Sequence, residues 1–195
     1  MRISNVEVAF LERAKKTAGM PMSVGGNPIV PSRVKSMGGC KSGGGHDCFL
    51  KGIRVAFDVE APHHEWMQIE RYTFMDIVSS QSKMHRLKRL TNVNAEEMFP
   101  DVSDAGMNTL LAHINMFDEG LISKDVLMAN VPCGMYLKAG MNSNYLALKT
   151  VFNQRKLHGL EGWRNFVQFC IDLPEFLDLT GCEPPKWWRD KNELV

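Results

Sequence analysis

Residues 50–82 read LKGIRVAFDVEAPHHEWMQIERYTFMDIVSSQS, and this stretch decides the fold. Within it, residues 52–59 alternate apolar and polar side chains, which predicts a half-buried β-strand. Pro62 stands where a helix would begin, and residues 63–72 carry apolar side chains at helical spacing. The β-rich residues 73–78 then predict a second strand. The stretch therefore predicts a strand, a helix and a strand in succession.

Polar and basic side chains follow directly after the second predicted strand. Residues 79–82, SSQS, supply hydroxyls and an amide. The basic residues that come next are Lys83, His85, Arg86, Lys88 and Arg89. Hydroxyls and amides followed by fixed positive charge suit an anionic ligand that accepts hydrogen bonds, such as a nucleotide phosphate. A strand followed by a solvated basic loop is the alternative that composition leaves open.

The composition of the whole chain is that of a globular protein. The 195 residues fit a single domain spanning 1–195, with 44% hydrophobic and 23% charged residues. A net charge of +1 gives no overall attraction to nucleic acid, so an anion site must be local. No apolar run reaches the length that spans a membrane, and the N-terminus lacks a signal-peptide pattern. We therefore expect a cytoplasmic protein without a membrane partner.

The cysteines and histidines do not form a recognisable metal motif. The five cysteines are irregularly spaced, which argues against a disulfide framework. Cys40, His46 and Cys48, with His63 and His64, are the residues that one could combine into a zinc site. Since no C-x-x-C pair is present, we expect no metal.

The N-terminal part of the chain is expected to be extended and then irregular. Residues 2–10 alternate enough to predict a first strand, with Val6, Val8 and Phe10 on one face. Residues 19–46 are rich in glycine and predict a flexible loop.

The C-terminal half is expected to be mainly helical. Residues 133–141 predict a strand or turn, and residues 183–195, with two prolines, predict an extended tail. Its Trp187 and Trp188 are expected to pack on the body or on a partner subunit. Predicted helices begin at Asn94, at Ser103 or Asp104, at Ser123, at Asn144 and near Leu160. Strands early and helices late predict the α+β class, with an antiparallel or mixed sheet and a C-terminal helical half.

Residues 46–82 resemble the core of the flavin-dependent thymidylate synthases. In that family a strand leads to a helix that bears a Gln. An Arg-His-Arg triplet follows and, seven or eight residues later, a Ser. Here Gln68 stands three residues before Arg71, residues 71–73 occupy the triplet as Arg-Tyr-Thr, and Ser82 takes the serine position.

The resemblance continues to about residue 170. Pro132 sits where the family has an Arg-x-x-Leu-Pro turn, and residues 142–144 open a helix that ends on Arg155. Residues 161–163, Glu-Gly-Trp, follow that helix as a similar segment does in the family. Methionine stands at two positions where the family has an arginine, namely Met84 and Met128.

The resemblance implies a homotetramer that binds FAD and dUMP at subunit interfaces and methylates dUMP reductively, with NADPH and a folate methyl donor. The residues implied to contact FAD are Arg71, Tyr72, Asn144 and His46. Those implied to contact the nucleotide are Gln68, Ser80, Gln81, Ser82 and Arg86. Arg155 is implied to be the catalytic cation that polarises the uracil. Reduced flavin supplies hydride in such enzymes, so no side-chain nucleophile is needed.

Two other functions fit the same residues. A diverged homologue would keep the fold and bind a nucleotide or a nucleic acid without catalysis, using the basic residues after Ser82 to hold phosphate. An oligomeric interaction module would instead use the tryptophans of the tail as its contact surface.

Overall fold

The computed structural model of the chain describes residues 1–41, 43–90 and 92–192. The strands in this part of the chain are β1 (Arg2–Ala9), β2 (Arg54–Pro62), β3 (Asp76–Ser80) and β4 (Tyr136–Asn144). The helices of the first half are α1 (Leu11–Thr17), α2 (Val34–Gly38), α3 (His63–Ile69), α4 (Lys83–Leu87) and α5 (Asn92–Met98). Those of the second half are α6 (Asp104–Asp118), α7 (Lys124–Ala129), α8 (Tyr145–Arg155), α9 (Glu161–Asp172), α10 (Phe176–Thr180) and α11 (Lys186–Asn192).

The four strands form one antiparallel sheet in the order β1-β2-β4-β3. β2 and β4 lie at its centre and pair without interruption from Arg54 opposite Asn144 to Pro62 opposite Tyr136. β3 is an edge strand, and its register against β4 shifts between Ile77 and Ser79. The α+β class predicted from the sequence is confirmed.

One face of the sheet is covered by helices α8 and α9. The alternation in β2 places Val55, Phe57 and Val59 on this buried face. The ring of Phe57 lies 4.9 Å from that of Phe169 and 6.5 Å from that of Phe166, both on α9. This packing confirms the strand predicted from residues 52–59 and anchors the C-terminal helices on the sheet.

A second and smaller core holds the helices that follow β3. Its buried members are Leu87, Met98, Phe99, Leu110, Val131 and Met135. Ser103 begins α6 by accepting a hydrogen bond from the backbone N–H of Gly106, and Ser123 begins α7 in the same way with Val126. These caps confirm the helix starts predicted at both serines.

The first strand differs from its prediction. Asn5 adopts a left-handed backbone with φ 52°, and the register of β1 against β2 shifts between Ser4 and Glu7. Such a bulge reverses which side chains face inward. Val6 lies at this bulge and is 43% exposed, while Phe10 lies beyond β1 with φ 67° and is 59% exposed. The prediction of one face shared by Val6, Val8 and Phe10 is therefore wrong.

Two segments contain more regular structure than their composition predicts. Residues 19–46 include a 3₁₀ turn at Met20–Met22 as well as α2. The tail forms α11 in place of an extended segment, with Pro185 preceding the first helical turn. The Trp187 indole donates a hydrogen bond to the backbone oxygen of Lys156 at 3.0 Å. The tail therefore packs on the body of the same chain, and Trp187 no longer argues for an interaction module.

A buried ion pair fixes the glycine-rich segment to α8. Lys149 Nζ lies 3.0 Å from a carboxylate oxygen of Asp47, and both side chains are almost fully buried. The same ammonium donates to the backbone oxygens of Gly38 and Cys40, each at 2.7 Å. All three of its hydrogens are therefore used inside the protein.

We predict that Lys149→Met strongly lowers the free energy of unfolding. The substitution leaves the Asp47 carboxylate buried without a cation, a change that costs about 3–5 kcal/mol. The matched control is Lys35→Met, since Lys35 pairs with Asp178 at 2.6 Å on the surface and such pairs contribute about 0–1 kcal/mol. Urea unfolding of both variants measures the two losses, and equal losses would contradict the prediction.

Candidate functional site

The ends of α3 and α8 meet around the guanidinium of Arg155. This is the last residue of α8, and its Nε donates to the hydroxyl oxygen of Tyr72 at 2.5 Å. Its Nη1 lies 3.4 Å from the side-chain oxygen of Gln68, near the end of α3. The structure thus brings together three of the sequence-predicted residues, and it buries Tyr72 to 7% exposure.

Trp163, at the start of α9, completes this group. The guanidinium carbon of Arg155 lies 4.3 Å from the centre of the Trp163 ring and 5.3 Å from that of Tyr72. The indole Nε1 donates to Gln68 Oε1 at 2.9 Å. Trp163 was not among the residues that the sequence predicted for the site. The similarity of residues 161–163 to the flavin-dependent family was the signal that could have placed it there.

The positive charge of Arg155 is held by neutral groups only. Within residues 1–41, 43–90 and 92–192, no carboxylate lies within ion-pair distance of its guanidinium. Arg155 lines a cavity of about 230 Å³ together with Arg71, Tyr72 and Gln154. Two guanidinium groups at one cavity, without a counter-charge on Arg155, suit an anionic or electron-rich ligand. Gln154 is a further lining residue that sequence reasoning missed.

His158 lies beside Trp163, and the charge of Arg155 changes the pKa of its imidazole. Burial and the nearby Arg155 charge lower the pKa of the His158 imidazole, because both oppose a second positive charge. Its Nδ1 accepts the backbone N–H of Leu160 at 3.2 Å, and its ring lies 6.0 Å from that of Trp163. The neutral form of the imidazole is therefore favoured next to Arg155.

A second cluster of polar side chains lies at the C-terminal end of β3. Ser80, Gln81, Ser82 and Arg86 line one cavity of about 510 Å³, to which His85 and Arg89 also contribute. Gln81 Oε1 accepts from Arg86 Nη1 at 2.6 Å and from the backbone N–H of Lys138 at 3.0 Å. The structure thus brings together four of the five residues predicted to contact the nucleotide, while Gln68 lies with Arg155.

Asn144 and His46 lie apart from these two groups. Asn144 begins α8, with its side-chain oxygen accepting the backbone N–H of Ala147 at 3.0 Å. Arg155 is at the other end of that helix, about 16 Å away at 1.5 Å per residue. On β4, Asn144 is five residues from Ala139, the partner of Ser80, and so about 17 Å along the strand. His46 is exposed in the glycine-rich segment.

Neither a metal site nor a membrane-spanning helix is found in the part of the chain that the structure describes. No group of three histidine, cysteine or acidic side chains there is arranged to hold an ion. None of its helices is both long and apolar enough to cross a lipid bilayer.

The same architecture occurs in solved structures of thymidylate synthase X from Helicobacter pylori with FAD and dUMP. One superposes with a TM-score of 0.65 at 14% identity, covering 91% of this chain and 96% of that one. Another, described as flavin-dependent thymidylate synthase, gives 0.65 at 15% identity and covers 92% and 97%. This chain has their fold. The sequence matches no protein-family model and no curated protein, and identity at this level establishes the fold alone.

We predict that His158→Asn reduces the acid sensitivity of the protein. Since the folded-state pKa of His158 is lowered, the unfolded chain binds more protons in the interval below about pH 6.5. The His158 imidazole therefore lowers the free energy of unfolding as pH falls through that interval, and it has no such effect above the interval. An asparagine oxygen keeps an acceptor for the Leu160 N–H but does not titrate.

Urea unfolding at about pH 7.5 and about pH 5 measures this difference. The wild type should lose more free energy of unfolding between the two values than His158→Asn does. Equal losses would show that the imidazole does not carry the lowered pKa.

Proposed function

We propose that this chain is a flavin-dependent thymidylate synthase-like enzyme that uses FAD to methylate dUMP reductively, or to modify a related pyrimidine nucleotide. The observation that carries the proposal is the guanidinium of Arg155, half-buried, held by Tyr72, Gln68 and Trp163 and without a carboxylate partner among the described residues. A fixed cation of this kind favours a ligand on which negative charge develops. The fold shared with enzymes crystallised with FAD and dUMP supports the same assignment.

Arg155 would act on the pyrimidine through its position and its charge. The hydrogen bond from Nε to Tyr72 and the Trp163 ring at 4.3 Å restrict rotation of the guanidinium. Its orientation is therefore set before the substrate binds, which lowers the entropic cost of reaching the transition state. Negative charge that develops on the pyrimidine carbonyls would be stabilised by the Nη hydrogens.

Ser80, Ser82 and Arg86 would hold the phosphate of the nucleotide. They line one cavity with His85 and Arg89, which supplies hydroxyl and guanidinium donors together. A phosphate monoester accepts several such charge-assisted hydrogen bonds. Gln81 would maintain the cavity wall, because its side-chain oxygen already joins Arg86 to the backbone of Lys138.

Arg71, at the same cavity as Arg155, fits the anionic part of FAD, and the cofactor would supply hydride once it is reduced. Arg71 is exposed at the cavity and free of the contacts that hold Arg155, so it would pair with a pyrophosphate oxygen. The cavity of about 230 Å³ lies below the range of about 300–1,000 Å³ for ordinary ligand pockets. We therefore propose that a second copy of the chain supplies the remaining wall, in a homotetramer.

The remaining parts of the proposal follow from the resemblance to the flavin-dependent family. NADPH would supply the reducing equivalents and a folate the one-carbon group. The five cysteines are free thiols, which suits a reducing compartment, so we propose a cytoplasmic location.

We predict that the purified protein binds FAD and that dUMP perturbs the bound flavin. Titration with FAD should give an absorbance band near ~450 nm that remains after gel filtration, because the chromophore belongs to the cofactor. Addition of dUMP should then shift that band, since both ligands would meet beside Arg155. Protein that stays colourless after incubation with FAD would refute the proposed function.

We predict that Arg155→Ala lowers turnover of dUMP by about 10²–10³-fold, the loss typical when one preorganised donor to a developing charge is removed. The matched control is Arg164→Ala, an exposed arginine on the neighbouring helix α9, which should retain wild-type turnover. Circular dichroism shows whether both variants keep the fold. Full activity in Arg155→Ala would remove this residue from the proposed role.

A specific feature favours the second candidate function, a homologue that binds nucleotide or nucleic acid without catalysis. Four fixed cations surround α4, namely Lys83, Arg86, Lys88 and Arg89. Thr73 is neutral at the third position of the motif triplet, where the family has an arginine. Two of these four cations, Arg86 and Arg89, line the proposed phosphate cavity.

We predict under this second candidate that a single-stranded oligonucleotide binds in a salt-dependent manner. Each cation that contacts a phosphate contributes about 0.7 to the slope of log K against log salt concentration. Fluorescence anisotropy should therefore show a smaller slope for Arg89→Ala than for the wild type, with Arg164→Ala unchanged. Binding that does not respond to salt would contradict this function.

A further inference from the structure

A cavity of about 320 Å³ lies in the smaller core and is formed by residues of α4, α5, α6 and α7. Among the described residues, nine of the eleven that line it are apolar, with Leu87, Ile114 and Phe117 among them. Leu111 also lines it and is 42% exposed, so the cavity opens to solvent. Its volume falls within the range of about 300–1,000 Å³ for ordinary ligand pockets. The cavity is therefore large enough and open enough to take up a small molecule.

This apolar cavity is separate from the cavity proposed to hold phosphate. α4 and α5 form the wall between the two, since Leu87 and Ala95 line the apolar cavity whereas Arg86 and Glu97 line the other. The two cavities share no lining residue. A molecule in the apolar cavity would therefore leave the proposed nucleotide site open.

The face of α6 that lines the apolar cavity ends on a carboxylate. Met107, Leu111, Ile114 and Asp118 follow one another at spacings of three or four residues, which places them on one face of the helix. Asp118 is the last residue of α6, where the partial negative charge of the helix end adds to that of its carboxylate. Within the described part of the chain, no cation lies within ion-pair distance of this carboxylate. This end of the cavity therefore attracts a positively charged group.

Lys88 supplies the opposite charge at the same cavity. It directly follows α4, whose last residue Leu87 is buried in the smaller core. Lys88 and Asp118 are the two charged residues of the lining. They do not pair with each other, and no other described carboxylate lies within ion-pair distance of the Lys88 ammonium. The lining thus combines an apolar interior with one cation and one anion whose charges are not neutralised by these residues.

A ligand that complements this lining carries an apolar group, an ammonium and a carboxylate. An apolar cavity of about 150 Å³ holds a benzene-sized molecule, so one of about 320 Å³ has room for a ring together with its substituents. The ammonium would face Asp118 and the carboxylate would face Lys88, and opposite charges at hydrogen-bond distance attract strongly. Free amino acids with apolar side chains carry these three groups in one small molecule.

We propose that this cavity binds a free amino acid with an apolar side chain. Asp118 holds the ammonium of the ligand, Lys88 holds its carboxylate, and the apolar residues of α4 and α6 surround its side chain. This site goes beyond the proposed function and does not rest on it, because neither FAD nor a nucleotide takes part in the binding.

Three ligands that differ only in their charged groups test the proposal. Titrations followed in ¹H–¹⁵N spectra of the purified protein compare L-phenylalanine with phenylpropionate, which lacks the ammonium, and with phenylethylamine, which lacks the carboxylate. L-Phenylalanine should bind about two- to fivefold more tightly than either, the gain expected from one exposed ion pair. Equal affinities for the three ligands, or no saturable binding of L-phenylalanine at millimolar concentration, would overturn the proposal.

Two charge variants assign the two ends of the ligand. Asp118→Asn should weaken the binding of L-phenylalanine and phenylethylamine about two- to fivefold and leave that of phenylpropionate unchanged. Lys88→Met should weaken the binding of L-phenylalanine and phenylpropionate and leave that of phenylethylamine unchanged. The matched controls are Asp125→Asn and Lys124→Met, exposed residues at the start of α7 that do not line the cavity, and both should keep wild-type affinities. If each charge variant weakened all three ligands alike, the proposal would be wrong.

A substitution at the mouth of the cavity shows where the ligand binds. Leu111→Trp adds volume at a partly exposed position, so it should weaken all three ligands while circular dichroism shows an unchanged fold. Unchanged binding in this variant would overturn the proposal. A second copy of the chain as the occupant would instead give self-association that Leu111→Glu abolishes and that L-phenylalanine does not affect in sedimentation velocity. That outcome would also overturn it.

Discussion

The pairing of β2 with β4 determines where every other part of the site lies. Nine consecutive residue pairs join these strands without a shift, starting with Arg54 opposite Asn144. α3 continues from the end of β2 and α8 from the end of β4, and antiparallel strands end at opposite edges of a sheet. The two helices therefore start far apart and run toward each other, so that Gln68 meets Arg155. A slip of one residue would turn the apolar face of β2 outward and separate these two side chains.

Elements that obey short-range rules could be predicted from the sequence. The alternation in residues 52–59 and the capping serines Ser103 and Ser123 act over a few residues, and the structure confirms each of them. The bulge at Asn5 depends on the partner strand, and α11 is stabilised by a hydrogen bond from Trp187 to a distant backbone oxygen. Neither partner is visible in the local sequence, so neither feature could be predicted from it.

The same distinction between short-range and long-range contacts applies to the two groups of polar side chains, one after β3 and one around Arg155. Ser80, Gln81, Ser82 and Arg86 lie within seven residues of one another, so the sequence alone could predict that they share a cavity. Residues 68 and 155 are 87 positions apart, and only the tertiary fold brings them into contact. Trp163 contacts Arg155 through its ring and Gln68 through the indole Nε1, and the sequence reveals neither partner.

The neutral residue at position 72 leaves the half-buried Arg155 without a second cation in contact with it. Two like charges 4 Å apart repel by about 4 kcal/mol at an effective dielectric constant of about 20, so a cation at position 72 would oppose Arg155 directly. Tyr72 offers an oxygen to Nε and a ring face to the guanidinium, and both attract the positive charge. The resemblance to flavin-dependent enzymes implies that Tyr72 contacts FAD, and in the structure its hydroxyl oxygen and its ring also contact the guanidinium of Arg155. Neutral groups thus hold Arg155 in a defined orientation, and among the described residues no carboxylate serves as its counter-charge.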